Sequence, residues 1–279
     1  MEASRTLLAV HAHPDDECLS TGGILARYAD EGVHTVVVTC TDGAVGEISD
    51  PSLASPENLA EVRSRELDEA LRILKVSRSV RLGYRDSGMA GTADNDNPAA
   101  FLQADLDEAI RRVVEVVREE RPRILVTYNE NGGYGHPDHI RAHQVGVAAF
   151  RLAADPGYAA AGAPWQASKL YYAVIRRSAL KAFGDRLRAA GFEVPFRDLD
   201  DSAESMGVPD ERVTTEVDVS RYVDQKRAAL EAHRTQMGPD QFFMKLPREL
   251  FAEALGRETF QRAAGPGPHQ ETDLFEGLS

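Results

Sequence analysis

The chain has 279 residues, 42% hydrophobic and 28% charged, enough for one large α/β domain with a proper core and too apolar for a disordered chain. Its net charge of −13 makes a field that repels phosphate backbones, so nucleic acid is not an expected partner. No basic stretch precedes an apolar one in the manner of a secretion signal, no apolar run reaches about 18 residues, and the two cysteines, Cys18 and Cys40, are too few for a disulfide framework; the expected setting is the cytoplasm, with no membrane partner.

In chain order, short β-rich runs alternate with longer amphipathic ones. Strands are expected at Thr6–Val10, Thr35–Cys40, Val80–Leu82, Ile124–Tyr128, Leu170–Ile175 and Val213–Val219. Helices are expected at Gly22–Glu31, Glu57–Leu74, Leu102–Glu120, His139–Ala153, Ala179–Ala190 and Tyr222–Thr235. Each of the first four strands is followed by a helix pattern, which predicts right-handed crossovers and a Rossmann-like, mostly parallel sheet flanked by helices. No dinucleotide-type glycine turn follows the first strand. The segments 42–56 and 83–100 are rich in Gly, Asp, Asn, Ser and Pro and read as loops at strand ends. From about residue 155 the pattern loosens, so the chain reads as one domain over 1–279: a metal-site half, 1–155, and an appended C-terminal lobe, 156–279, completing the substrate site. The end, "GPGPHQETDLFEGLS", reads as an extended tail.

Four polar clusters interrupt this frame. "HAHPDDE" (11–17) follows strand one, Arg63–Glu66 lies in a helix, Arg85-Asp86-Ser87 follows strand three, and "NGGYGHPDHIRAH" (131–143) follows strand four. In a doubly wound sheet of order 3-2-1-4, the carboxyl ends of strands one and four flank the topological switch point, where such folds bind ligands. Residues 11–17 and 132–143 are therefore expected across one cleft. Two histidines and a carboxylate with one position left for water are a catalytic zinc arrangement. A second carboxylate beside the metal can take the proton from that water, so Asp15 and Asp16 can divide the work, one as ligand and one as base. His136 and His139, three apart at a helix start, can both face the cleft. Either motif alone reads equally well as a turn or a helix cap; together at adjacent strand ends they point to a site. His11 reads as a supporting or core residue, and His143 either supports the site or lies on the helix surface. His34, His233 and His269 carry no chemical signal. Arg63 and Asp86 are expected at the rim, Arg63 being equally readable as part of a solvated helix face.

On these residues the sequence resembles the zinc-dependent deacetylase superfamily of the GlcNAc-phosphatidylinositol de-N-acetylases and LmbE-like proteins, through "AHPDDE" (12–17) and "HPDHI" (136–140). "HAHPDDE", "YRDSGMAGT", "NGGYGHPDH" and "AALEAHRTQ" are similar to the mycothiol-pathway enzymes of that superfamily. The resemblance implies one Zn²⁺ per chain, with Fe²⁺ or Co²⁺ as alternatives, on His13, Asp16 and His139, with Asp15 as general base. It implies a protonated His136 oriented by Asp138, Tyr134 at the oxyanion, and Arg63, Asp86 and Ser20 on substrate hydroxyls. The implied reaction is hydrolysis of the acetamide of a small amino-sugar substrate, a GlcNAc-type glycoside such as GlcNAc-inositol. Leu19-Ser20 and "DSGMAGT" resemble the deacetylases, whereas "APWQASKLYY" and "ETDLFEGL" resemble the conjugate amidases, although a lysine expected after "HPDDE" in the amidases is absent. The alternatives are therefore a mycothiol S-conjugate amidase, a deacylase of another amino-sugar metabolite, and a sugar-binding protein without catalysis.

Overall fold

A computed structural model describes residues 5–192, 194 and 206–278. Its strands are β1 (Thr6–His11), β2 (His34–Thr41), β3 (Arg78–Tyr84), β4 (Ile124–Tyr128), β5 (Lys169–Arg176), β6 (Gly207–Val208), β7 (Thr215–Asp218) and β8 (Arg257–Ala264). Its helices are α1 (Asp16–Asp30), α2 (Leu59–Ile73), α3 (Leu106–Glu120), α4 (Pro137–Leu152), α5 (Arg177–Ala189), α6 (Val223–Ala232), α7 (Phe242–Lys245) and α8 (Arg248–Leu255). The sheet runs β3-β2-β1-β4-β5-β8-β7, with β6 beside β5. From β3 to β5 every pairing is parallel, and β8 is antiparallel to both β5 and β7. The expected 3-2-1-4 order is present, and with it the switch point between β1 and β4.

Central strand β1 is buried along its whole length, as a parallel strand covered on both faces must be. Leu7 and Ala9 face a core shared with α1, α2, α6 and α8, while Leu8 and Val10 face a second core under α3 and α4. Helix α3 carries its apolar stripe toward the latter, and the Asp105 side chain caps it by accepting from the amides of Asp107 and Glu108.

Three expectations change. Helix α1 begins at Asp16, not Gly22, because Asp16 and Glu17 suit the positive end of a helix and the acidic run is its first turn. Gly22 and Gly23 consequently sit inside the helix: a Cβ on Gly23 would come within 2.4 Å of Val219, so the glycine is what lets the second half of the chain approach. The sequence reading also missed β8 and the two helices before it. "RETFQRAA" lacks strict alternation because β8 is an internal strand whose long polar side chains are only partly buried.

The tail is the third correction. Residues up to 278 fold back instead of extending, and Ser279 lies outside the described residues. Leu274 and Phe275 join the core against Tyr28. Glu271 is buried with Lys169 at 2.7 Å, and also accepts from Tyr171 (2.7 Å) and Thr215 (2.8 Å). A lysine ammonium with no exposed surface requires such a counter-charge. The residues proposed as an appended lobe thus share the main sheet and its core. Glu258 of β8 accepts the amides of Gly23 and Ile24 in α1 and pairs with buried Lys226.

Candidate active site

At the carboxyl end of β1 the backbone passes through Pro14 and Asp15 into α1, and at the end of β4 a glycine-rich loop leads into α4. His136 caps α4 with Pro137 in its first turn. His139 lies one turn in, packed so tightly under the loop that a Cβ on Gly132 would approach its own Cβ to 2.6 Å.

His13, Asp16 and His139 meet at one point. His13 Nδ1 lies 3.2 Å from His139 Nε2, and each lies 3.4 Å from Asp16 Oδ2. The opposite nitrogens decide what these atoms carry. His139 Nδ1 donates to the carbonyl of Gly132 at 3.0 Å, which leaves Nε2 bare. His13 Nε2 donates to Asp138 at 3.2 Å, which leaves Nδ1 bare. Two lone pairs and a carboxylate oxygen thus converge on one small volume, an arrangement that repels itself unless a cation sits among them. Bonds of about 2.0–2.1 Å to a tetrahedral zinc would separate its ligand atoms by about 3.3 Å, which is the observed spacing. The donor set therefore fits a divalent metal. His13, His136 and His139 also bring one nitrogen each within 4.8 Å of one another, as His13, Asp86, His136 and Asp138 do with one ligand atom each.

The electrostatics agree. Burial opposes protonation of His13, but Asp138, Asp16 and Asp86 outweigh it and hold the ring well above its usual value, so the Nδ1 position draws positive charge: a proton when no metal is bound, which a metal ion would displace to leave Nδ1 as a ligand. Burial brings His139 down to about 4, so it is neutral. Burial also works against the Asp16 anion, yet His139 and His13 keep its carboxyl well below the usual range.

Asp15 stands beside this triangle. Burial raises its carboxyl to about 6, against the opposing pull of Arg63 at 3.1 Å. Its backbone, φ 121° and ψ −28°, lies where residues with a side chain rarely go, at a cost of roughly 1–3 kcal/mol that the surroundings must offset. A cavity of about 320 Å³ opens next to it, lined by Glu47, Ile48, Ser49, Thr235, Gln236, Met237 and Gln241.

Several expected positions are revised. Asp138 does not orient His136 through its carboxylate, which Ser87 holds through its amide (2.8 Å) and hydroxyl and which points at His13. His136 Nδ1 instead accepts the amide proton of Asp138 at 3.1 Å. A nitrogen that accepts cannot carry a proton, and burial and His13 lower the group below its ordinary value. His136 is thus neutral with its proton on Nε2, not an imidazolium. Arg63 is buried instead of rim-exposed and gives its guanidinium to Gly43 O (2.9 Å), Pro14 O (2.5 Å) and Asp15. Asp86 is likewise buried, 3.5 Å from His13 Nε2. Tyr134 is 44% exposed, its ring edge-on to His139 at 4.9 Å. Ser20 lies half-buried on α1, one turn beyond Asp16.

Sequence reasoning passed over four supporting residues. Tyr128 at the end of β4 donates to Asp16 Oδ2 at 2.7 Å, and Ser87 fixes Asp138. Glu17 accepts the amide of Asp15 at 2.9 Å, and His233, set aside as featureless, is fully buried with Nε2 2.8 Å from Glu17. His11 is a core residue bonded to Thr21, and His143 meets the carbonyl of Tyr128. The "AALEAHRTQ" stretch, similar to relatives, was the available signal for His233.

A family model described as PIG-L, GlcNAc-PI de-N-acetylase, matches residues 8–150. A 1D-myo-inositol 2-acetamido-2-deoxy-alpha-D-glucopyranoside deacetylase from Geodermatophilus obscurus is 44% identical, with 100% of this chain and 99% of the relative covered. One so named from Catenulispora acidiphila is also 44% identical, with 99% and 90% covered. Among solved structures, the N,N'-diacetylchitobiose deacetylase from Pyrococcus horikoshii superposes with a TM-score of 0.63 at 21% identity, covering 92% of this chain and 83% of that one, which speaks to fold.

Proposed function

This chain belongs to the PIG-L, or GlcNAc-PI de-N-acetylase, family, and from that premise we propose that it is a metal-dependent hydrolase cleaving the acetamide of a GlcNAc-type glycoside, GlcNAc-inositol foremost. One observation carries the reading: His13 Nδ1, His139 Nε2 and Asp16 Oδ2 converge at 3.2–3.4 Å beside a separate, partly buried carboxylate, Asp15. A divalent ion held by His13, Asp16 and His139, zinc before iron or cobalt, would supply a Lewis acid that lowers the pKa of a water and polarises the acetamide carbonyl.

The chain's own residues do the rest. Asp15, a base with its carboxyl near 6, takes the proton of the attacking water as the oxygen bonds to the acetyl carbon. It then hands that proton to the sugar nitrogen as the C–N bond breaks, giving the free amine and acetic acid, which releases the second water proton to solvent as acetate. Neutral His136 donates from Nε2, and Tyr134 from its hydroxyl, to the oxygen that gains charge, and neither needs to be a cation to do so. Asp138, held by Ser87, keeps the His13 proton on Nε2 and so keeps Nδ1 available. Ser20 and the buried Arg63 and Asp86 serve the sugar side of the site more through shape than through free hydrogen-bonding capacity. The part of the substrate beyond the acetamide fits the cavity beside Asp15, whose Glu47, Ser49, Gln236 and Gln241 suit a hydroxyl-rich partner.

The single-domain reading over 1–279 is supported by the sheet that both halves share among the described residues. A cytoplasmic setting is supported by two free buried cysteines, and among the described residues no helix is long and apolar enough to cross a membrane.

The test is release of free amine, with metal supplied, from GlcNAc, GlcNAc-inositol and a mycothiol S-conjugate. GlcNAc-inositol should be turned over best. Preference for the conjugate would favour the amidase reading, and no release from any would favour a sugar-binding protein.

A further inference from the structure

Asp15 is the residue on which the proposed chemistry turns, and its backbone is the most unusual in the site. A conformation at φ 121° persists only where neighbouring groups over-determine it. From one side Arg63 holds the preceding carbonyl, Pro14 O, at 2.5 Å. From the other, the Asp15 amide donates to Glu17 Oε2 at 2.9 Å. Glu17 has no exposed surface, and its second oxygen accepts from His233 Nε2 at 2.8 Å and from the Cys18 thiol at 3.0 Å. His233 comes from the end of α6, 216 residues away, and is itself fully buried. Its other nitrogen, Nδ1, has no hydrogen-bond partner among the described residues, so the bond to Glu17 is the ring's polar anchor. The segment carrying it is braced in turn: Thr235 donates its amide (2.9 Å) and hydroxyl (2.6 Å) to buried Glu66.

We propose that His233 and Glu17 form a positioning pair through which the second half of the chain holds Asp15 in its working geometry. The proposal rests on the functional reading above in one respect, that Asp15 is the base. The His233 ring reaches neither the metal triangle nor the cavity, although its carbonyl accepts the amides of Gln236 and Met237 in the cavity wall, and its hydrogen-bonded path to Asp15 runs through Glu17. A carboxylate anchored at one oxygen by His233 presents the other to Asp15 in a fixed direction; freed from His233, it turns, and the Asp15 peptide relaxes.

The decisive comparison is His233→Gln against His233→Asn in the full-length, metal-loaded protein. A glutamine amide reaches as far as the imidazole Nε2 and can still donate to Glu17, whereas an asparagine amide is one methylene short. His233→Asn should lower kcat by about 10- to 100-fold, the scale for a small misplacement of a reacting group, with KM within about threefold. Metal content should stay at the wild-type level, and His233→Gln should recover most of the loss. In parallel, hydrogen exchange at the Asp15 amide should quicken in His233→Asn and stay near wild type in His233→Gln. Should His233→Asn not fold, Glu17→Gln replaces it, since it keeps the volume but turns one of the two acceptors into a donor; the same fall in kcat at constant metal is expected. Wild-type kcat in His233→Asn, metal lost in step with activity, equal behaviour of the Gln and Asn variants, or unchanged exchange at Asp15 would overturn the proposal. If wild type hydrolyses none of the candidate amides, the functional reading fails, while the exchange comparison still decides whether this pair holds Asp15.

Discussion

Replacing Arg63 by methionine separates two accounts of the site. Read from sequence, Arg63 was expected to grip substrate hydroxyls, which makes its loss fall mainly on a glycoside. In the structure its guanidinium is committed to Gly43 O, Pro14 O and Asp15, so both substrates should suffer alike. Methionine keeps much of the buried stem and removes the charge. The charge stands 3.1 Å from Asp15 Oδ2. At that separation a pair is worth about 1.3 kcal/mol in bulk water and about 5 kcal/mol at an effective dielectric constant of 20. At 1.36 kcal/mol per unit the bracket is about 1 to 4 pK units, and observed shifts for such neighbours are about 1–3. Asp15 starts near 6 and should rise to roughly 7–9. Because the base must be ionised, activity is lost as pH falls through that value, so the acid limb of kcat/KM should move upward. At pH 7 the ionised fraction falls from about nine-tenths to between one-half and one-hundredth, a loss of about 2- to 90-fold that is regained at higher pH. A cation beside Asp16 lowers both profiles together and leaves their difference. The assay is amine release from GlcNAc and from GlcNAc-inositol across pH, below the unfolding temperature, since two buried carbonyls also lose a donor. An unmoved acid limb with the loss confined to the glycoside would refute the reasoning and return Arg63 to aglycone recognition.

Asp138→Asn should weaken metal binding about 10- to 100-fold by disturbing the group that fixes the His13 tautomer, measured by competition with a chelator; unchanged affinity would remove Asp138 from that role. Lys169→Met should destabilise the fold by about 3–5 kcal/mol in denaturant titrations, because it leaves Glu271 buried with less compensation. Despite burial, Lys169, Tyr171 and Thr215 hold the Glu271 carboxyl below its ordinary 4.5. Its contribution to stability is therefore complete above pH 4.5 and lost as pH falls through the depressed value; Glu271→Gln should flatten that acid-side slope.

Much of the parallel half was legible because its signals are local or follow from strand order. The run before "HAHPDDE" had to be a buried strand, and adjacency of β1 and β4 was enough to bring His13 and His139 together across 125 intervening residues, a pairing now seen at 3.2 Å. What escaped was long-range and polar. The start of α1 was hidden because an acidic first turn looks like a loop until the helix dipole is considered. The tail looked solvated because its anchor, Glu271, shows its value only beside Lys169, a hundred residues earlier. Asp138 was assigned to the nearer histidine in sequence, whereas Ser87 turns its carboxylate to the distant one. His233 lies in the recognisable stretch "AALEAHRTQ", but its role stayed hidden since its partner Glu17 lies at the far end of the chain.

Metal content measured alongside turnover in Asp15→Asn and Asp16→Asn bears most directly on the central claim, that one of two adjacent aspartates holds the metal and the other moves the proton. Asp15→Asn should retain about one divalent ion per chain while losing on the order of 10² or more in kcat, the scale for removing a general base. Asp16→Asn should lose the ion, having given up one corner of the 3.2–3.4 Å triangle. The reverse pattern, metal gone from Asp15→Asn and kept by an active Asp16→Asn, would contradict the assignment of both residues.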